Sequence, residues 1–434
     1  MRKTSRTRKN TPRFAQGRCL AVIWLALLAA LPGVAGAAVI GHMQPAEPVT
    51  DARIATLPSA QQTAWHAYLA RSQALETADE AALAAERAKG QAPADPVEGK
   101  NGGSGMPLNR PGAWYGTPEA RHVADVIVSF QTPAGGWGKN VDRSGALRQP
   151  GQSWVPGGHG YVGTIDNNAT TTELRFLARV QAQLPGAPGE AYRAAFLKGL
   201  RYLLDAQYPN GGFPQVYPLE GGYHDAITFN DDAMVDVTEL LESAAQRQGD
   251  YGFVPAPSAG QARAAADKAL GVILATQVAA AGARTAWGQQ YDALTLAPAG
   301  ARNFEPIALS SSESASLLMY LMALPDPAPG VVAAVHAGAG WLRQAALRDI
   351  DWTAKSRDTG RQRVAHAGAG PIWARYYDIP TMKPIFGDRD RSIHDDVNEI
   401  SLERRNGYAW YGTRPAEALA RFSAWAPQHR LPSP

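Results

Sequence analysis

Two stretches of the chain share one design: Gln131-Thr-Pro-Ala-Gly-Gly-Trp137-Gly-Lys139 and Gln207-Tyr-Pro-Asn-Gly-Gly-Phe213-Pro-Gln215. A degenerate third copy runs from Gln277 through Ala286-Trp287-Gly-Gln289. The three glutamines lie 76 and 70 residues apart, which leaves room for about two helices and their loops at ~1.5 Å rise per residue. Each copy is a helix end, a turn that glycine permits, and an aromatic that plugs the end of a barrel. Amphipathic helical patterns fill the intervals, at 119–131, 170–183, 189–206, 231–247, 261–278, 311–324, 330–346 and 415–424, while strand patterns are few and short. The repeat predicts a mainly α fold, an incomplete α/α toroid of helical hairpins with irregular Gly-rich loops. The alternative reading is a set of ordinary Gly-rich helix C-caps.

Outward from this core, the ends of the chain divide it. Residues 1–37 carry seven basic side chains (Arg2, Lys3, Arg6, Arg8, Lys9, Arg13, Arg18) and no acid, ahead of the apolar run Leu20–Leu31 and the small residues Ala35-Gly36-Ala37. This is the pattern of a cleaved signal peptide, so a secreted or periplasmic protein is expected. The run is short for a membrane span, although an uncleaved anchor is the alternative. Residues 38–110 are read as a helical lead-in, with Trp65, Tyr68, Leu69 and Leu75 at helical spacing, followed by a flexible joint ending in Gly99–Gly105. Residues 111–434 form the toroid domain. The net charge of +3 becomes about −4 without the first 37 residues, which removes any argument for nucleic-acid binding. Cys19 leaves with the signal, so disulfides and thiolate metal sites are excluded. No membrane association is expected after cleavage, and a monomer is expected.

Four constellations are candidates for chemistry. In Thr164-Ile-Asp166-Asn167-Asn168-Ala-Thr170-Thr-Thr-Glu173, the Thr170/Glu173 spacing suggests a capping box, and the acid and amides crowd the helix mouth. In Ile227-Thr-Phe-Asn230-Asp231-Asp232-Ala-Met234, Asn230 is a plausible N-cap with both acids in the first turn. Hard oxygen donors on two such loops suit a shared calcium ion, and capping chemistry without a metal is the alternative. In Arg302-Asn-Phe304-Glu305-Pro306, an arginine stands beside an aromatic and a carboxylate that could simply pair with it. In Trp373-Ala-Arg375-Tyr-Tyr-Asp-Ile-Pro-Thr-Met-Lys383-Pro-Ile-Phe-Gly-Asp-Arg389, cations alternate with aromatics, as an acidic sugar chain would require. Tyr408, Trp410 and Tyr411 extend that platform or serve as core. The chain has no HExxH, phosphate-binding loop or dinucleotide fingerprint.

The ordered set GGWGKN (135–140), TIDNNATTTELRFL (164–177), YPNGGFPQVYP (208–218), ITFNDDAM (227–234), ARNFEP (301–306) and WARYYDIPTMKPIFGDRD (373–390) resembles polysaccharide lyase family 10, the pectate lyases, from about residue 113 to 412. The resemblance implies calcium-assisted anti-β-elimination on polygalacturonate, giving unsaturated oligogalacturonides. It implies Arg302 as the base, with calcium and desolvation opposing the usual guanidinium charge. Asp166, Asn167 and Asp231 are implied as calcium ligands, with Asp232 the alternative to Asp231. Arg375, Lys383 and Arg389 are implied as carboxylate binders, and Lys139 as a further one. Two other classes compete. An inverting glycoside hydrolase would use two acids about 6.5–9.5 Å apart, and a non-catalytic protein would only bind the acidic polysaccharide.

Overall fold

The computed structural model describes residues 38–99, 105–158, 160–280 and 282–431. The expected signal segment and Lys100–Ser104 of the joint lie outside them. In chain order the α-helices are α1 (Asp51–Ile54), α2 (Ser59–Arg87), α3 (Pro118–Ser129), α4 (Thr171–Gln183), α5 (Glu190–Ala206), α6 (Ala233–Gln246), α7 (Ala256–Ala275), α8 (Ser311–Ala323), α9 (Pro329–Gln344), α10 (Leu402–Gly407) and α11 (Arg414–Trp425). Every helix expected from periodicity forms, with ends moved by a few residues.

The helices make two rows. One row runs α3, α4, α6, α8, α11, each touching the next, and the other runs α5, α7, α9. The pairs α4–α5, α6–α7 and α8–α9 are the hairpins. Burial separates the rows. On α7 one stripe is covered (Ala259, Ala262, Ala266, Ala269, Ile273), whereas on α8 nearly every residue from Ser311 to Leu321 is buried. A helix with one apolar stripe belongs outside, and one covered all round belongs inside. The result is an incomplete α/α toroid.

The repeat is visible atom by atom. Gln131 Nε2 donates to Gly135 O and to Ala195 O of the next hairpin, at 2.8 and 2.9 Å. Gln207 does the same to Gly211 O and Ala265 O, at 3.0 and 2.8 Å. Gln277 does so to Thr285 O and Ala334 O, at 3.1 and 2.9 Å. One amide thus satisfies a turn carbonyl and a helix carbonyl together, in buried surroundings where an orphan would be costly. Glycine is required at the turn: Gly211 has φ +103, and a Cβ there would lie 2.6 Å from Lys268 O. The indoles of Trp137 and Trp287 donate to Ile127 O and Ile273 O, each at 2.7 Å. Trp373 donates to Leu342 O, also at 2.7 Å, and marks a fourth repeat.

The lead-in is built against the toroid. Trp65 and Tyr68 of α2 lie 5.0 and 4.9 Å, centroid to centroid, from Tyr208, and Tyr68 Oη donates to Ala206 O at 3.0 Å. Strand Val39–His42 joins a five-stranded antiparallel sheet with Ser392–His394, Pro384–Gly387, Tyr376–Tyr377 and Leu309–Ser310.

Two capping expectations are corrected. Helix α4 begins beside Thr170, but no capping box forms. Thr170 sits at φ 63, ψ −50, its hydroxyl accepts from Trp137 N at 3.1 Å, and Glu173 is buried in an ion pair with Arg143 at 3.0 Å. Asn230 is not the N-cap of α6. Asn230–Asp232 is a separate 3-10 turn, with Asp232 left-handed at the cap position.

Candidate active site

Two residues after each repeat aromatic stands a polar side chain: Lys139, Gln215, Gln289 and Arg375. The first three line one cleft. The fourth adjoins it, since Arg375 Nη2 donates to Asn230 Oδ1 at 3.0 Å and lies 3.9 Å from Asp231 Oδ1. Inner helices α4, α6 and α8 begin at this rim, after the turns Asp166–Asn168, Asn230–Asp232 and strand Leu309–Ser310. Their N-terminal dipoles favour negative charge there.

The acidic side of the cleft is built from two mouths. Asp166 is buried, and both its oxygens accept: Oδ2 from Lys139 Nζ at 2.5 Å, Oδ1 from Gln215 Nε2 at 2.9 Å. Lys139 also lies 3.4 Å from the centroid of the Tyr161 ring, a cation–π contact. Asp231 accepts from Asn230 Nδ2 at 2.8 Å. Desolvation in the cleft raises the Asp231 carboxyl above its ordinary value. Glu313 and Asp166 push it the same way, against the pull of Arg375. Asp166 and Asp231 therefore repel each other across shared space. Asn167, also in the lining, holds Asn140 through its amide at 3.1 Å, which leaves its carbonyl oxygen as a donor toward a cation.

Among the described residues no group of three His, Cys, Asp or Glu side chains converges as a metal site. Two mutually repelling carboxylates and an amide oxygen still fit a hard cation, provided the ligand brings oxygens of its own. Zinc is a poor fit to the same donors.

The basic side differs from expectation. Arg302 is half-exposed and makes a bidentate pair with buried Glu305, Nε to Oε2 at 2.9 Å and Nη2 to Oε1 at 2.6 Å. Burial pulls the Arg302 guanidinium down, but the bonds and charge of Glu305 outweigh it and hold it above its ordinary value. Its own loop thus works against the expected easing of the Arg302 charge, while burial works toward it. Glu305 also accepts from Tyr408 Oη at 2.7 Å, and Tyr408 meets Tyr376 hydroxyl to hydroxyl at 2.6 Å. Tyr376 in turn donates to Gln289. Arg375 is largely but not fully covered, with Nη2 taken by Glu313 at 2.5 Å. It neutralises the protein's own acids first, and its buried Nε has no partner.

Three expected residues stand apart from the lining. Asp232 pairs with Arg414 at 2.5 Å, which favours Asp231 of the two neighbours as the cleft acid. Arg389 pairs with exposed Glu403 at 3.2 Å, although its carbonyl accepts from Asn303 and its guanidinium lies 5.2 Å from Phe304, next to Arg302. Lys383 is exposed on the strand edge beside Tyr377. Gln215, Gln289, Glu313 and Tyr161 were not predicted to contribute. The repeat register carries the signal for both glutamines, since they occupy the positions of Lys139 and Arg375.

A family model described as pectic acid lyase matches residues 131–419. Among solved structures, the chain is similar to the family 10 polysaccharide lyase from Cellvibrio cellulosa, with 33% identity and a TM-score of 0.63 over 74% of this chain and 99% of that one. It is equally similar to an aspartate-to-alanine mutant of that enzyme in complex with trigalacturonic acid. Among curated proteins none matches significantly.

Proposed function

Because the chain belongs to family 10 of the polysaccharide lyases, the pectic acid lyases, we propose that it cleaves α-1,4-polygalacturonate by anti-β-elimination at this cleft. The observation that carries the reading is the pairing of the two linings. Lys139 and Arg302 line the same cleft as the two acids Asp166 and Asp231, whose charges oppose each other there, so basic and acidic groups stand ready for a uronate carboxylate and a hard cation respectively. A hydrolase fits worse. A neutral glycan would leave the basic side of this lining, Lys139 among it, with no carboxylate to bind.

Asp166, Asn167 and Asp231 would hold calcium. When bound, the ion would supply positive charge to the substrate carboxylate and so acidify the proton on C5. Arg302 is the proposed base. It takes the C5 proton, the C–H electron pair becomes the C4–C5 double bond, the C4–O4 bond breaks, and O4 leaves with a proton from water. The neutral guanidine this needs exists only when Glu305 loosens its hold. Lys139 and Arg389 orient uronate carboxylates, and Lys383 does so farther out. Residues 1–37 act as the export signal, so the enzyme works outside the cytoplasm.

The test is the ultraviolet spectrum of a polygalacturonate digest. A lyase produces a conjugated unsaturated uronide that absorbs. Reducing ends without that absorbance would replace this reading with the hydrolase.

A further inference from the structure

A second cleft, of about 850 Å³, lies between α2 and the stretches 154–158, 160–163 and 218–220. Its volume lies within the ordinary range for small-molecule sites, about 300–1,000 Å³. Helix α2 turns Glu76, Asp79, Glu80, Leu83, Ala84 and Arg87 toward it, the i, i+3, i+4, i+7 spacing of one helix face. Trp154, Val162, Pro218 and Glu220 form the opposite wall.

The charges there are one-sided. Among the described lining residues, Glu76, Asp79, Glu80 and Glu220 stand with one cation, Arg87, whose Nε is committed to Gly151 O at 3.0 Å; outside the lining, Lys139 acts on Glu220, which also lies 4.0 Å from His224. Lys198 acts on Asp79 electrostatically, but its ammonium donates to Thr132 O at 2.8 Å. Asp79 is the decisive group. It is 5% exposed, its Oδ1 accepts from Ala134 N at 2.7 Å, and its Oδ2 has no partner. An unmatched buried carboxylate oxygen is costly unless something with a positive charge or a proton reaches it. Burial pushes the Asp79 carboxyl up to about 6, against the Ala134 amide, Lys198 and Thr132.

Two ligand classes are excluded. An extension of the pectate track would set uronate anions against these four carboxylates. A bare metal ion finds no converging trio of ligands among the described residues and gains nothing from the walls of Leu83, Trp154, Val162 and Pro218. Among the described lining residues, acids outnumber cations four to one beside apolar surface. We propose that this cleft binds a linear organic polycation, with one ammonium on Asp79 and methylene stems along the apolar wall. This is independent of the reaction in the other cleft.

Spermidine is a suitable probe, followed by titration calorimetry on the mature protein alone at about pH 7.5, above the Asp79 ionisation. One saturable site is expected. Asp79→Asn keeps the acceptor for Ala134 N and should weaken binding by about tenfold or more, the scale of one buried charge pair. Glu80→Gln, an exposed change that cannot threaten folding, should weaken it by about two- to fivefold. Wild-type affinity should fall between about pH 7 and 5 as Asp79 takes up its proton, and Asp79→Asn should flatten that dependence. Trigalacturonic acid should not compete. Absence of saturable heat, equal affinity in wild type and Glu80→Gln, equal displacement by calcium chloride at matched ionic strength, or a flat wild-type pH dependence would each overturn the proposal. If Asp79→Asn does not fold, the Glu80→Gln and pH arms decide it.

Discussion

Replacing Glu305 by glutamine keeps the shape of the Arg302 loop and removes the charge that holds its guanidinium. Glu305 is 2% exposed. Burial alone would raise its carboxyl, but the bonds and charge of Arg302, with the Tyr408 hydroxyl and the Arg302 amide, take it from 4.5 down to about 2. At ~1.4 kcal/mol per pKa unit this is about 3 kcal/mol. Tyr408 and the amide share it and Arg302 is half-exposed, so the part due to the Arg302 charge is about 1–2 kcal/mol. The coupling is reciprocal, and the same 1–2 kcal/mol opposes loss of the Arg302 proton. In Glu305→Gln the alkaline rise of kcat should therefore move to lower pH by about one unit, near a tenfold gain below the plateau, offset in part by looser positioning. The assay is initial rate against pH, followed by absorbance of the unsaturated product with calcium saturating. A rise that stays where it was in the wild type would show that Arg302 does not ionise in the rate-limiting step, and the base assignment would fall. Stability carries a second signature. A carboxyl depressed in the folded state stabilises above its unfolded pKa and loses that contribution as pH falls through its folded one. The wild-type advantage over Glu305→Gln in urea unfolding should be about 2–3 kcal/mol near neutrality and should fade between pH 4.5 and about 2.

Arg302→Ala should reduce turnover by about 10³-fold or more while trigalacturonic acid binding changes only a few-fold, because a base acts in the transition state. Near-normal turnover there would move the base elsewhere. A chelator should abolish activity, calcium rather than zinc should restore it, and Asp166→Ala should raise the calcium needed and lower the saturated rate. An unshifted calcium curve would take Asp166 out of the ion's shell. Arg389→Ala should weaken KM and kcat together by about two- to tenfold, since an exposed guanidinium shared with Glu403 is worth little. A change in kcat alone would contradict its role in binding.

What the sequence makes legible here follows from the range of the interactions involved. Gln131, Gln207 and Gln277 bond within their own turn and to the next hairpin, so a local motif repeats wherever the architecture does, and the toroid can be inferred from it. Trp373 belongs to the same series, yet an inserted hairpin, Ile350–Trp352 with Arg363–Ala365, separates it from α9 and removes the Gly-Gly signal. The capping box was a sound local inference that lost to a distant partner: Glu173 meets Arg143 instead, and Arg143 Nη2 donates to Gly138 O at 3.0 Å, bracing the residue before Lys139. Arg375 likewise looked free to bind substrate because Glu313 lies 62 positions away in sequence. Side chains whose partners are remote cannot be assigned from spacing alone.

The two acid-amide mouths show how the repeat was adapted for a site. Asn167 sits at φ 50, ψ 37 and Asp231 at φ 50, ψ 38, so they occupy equivalent places in equivalent 3-10 turns. Asp166 then corresponds to Asn230, with acid and amide exchanged between the copies. Left-handed backbone is cheapest for asparagine and aspartate among residues with a side chain, which explains why these types fill the turn. The exchange decides the charges. Asp166, at the inner position of the first turn, is met by Lys139, and Asn230, at the inner position of the second, is met by Arg375. Had both inner positions been acidic, two buried carboxylates would stand beside Glu313 with no cation to spare. With one acid at an inner and one at an outer position, Asp166 and Asp231 face the cleft from different depths. Their repulsion is then a reason for a cation to bind between them rather than a cost to the fold.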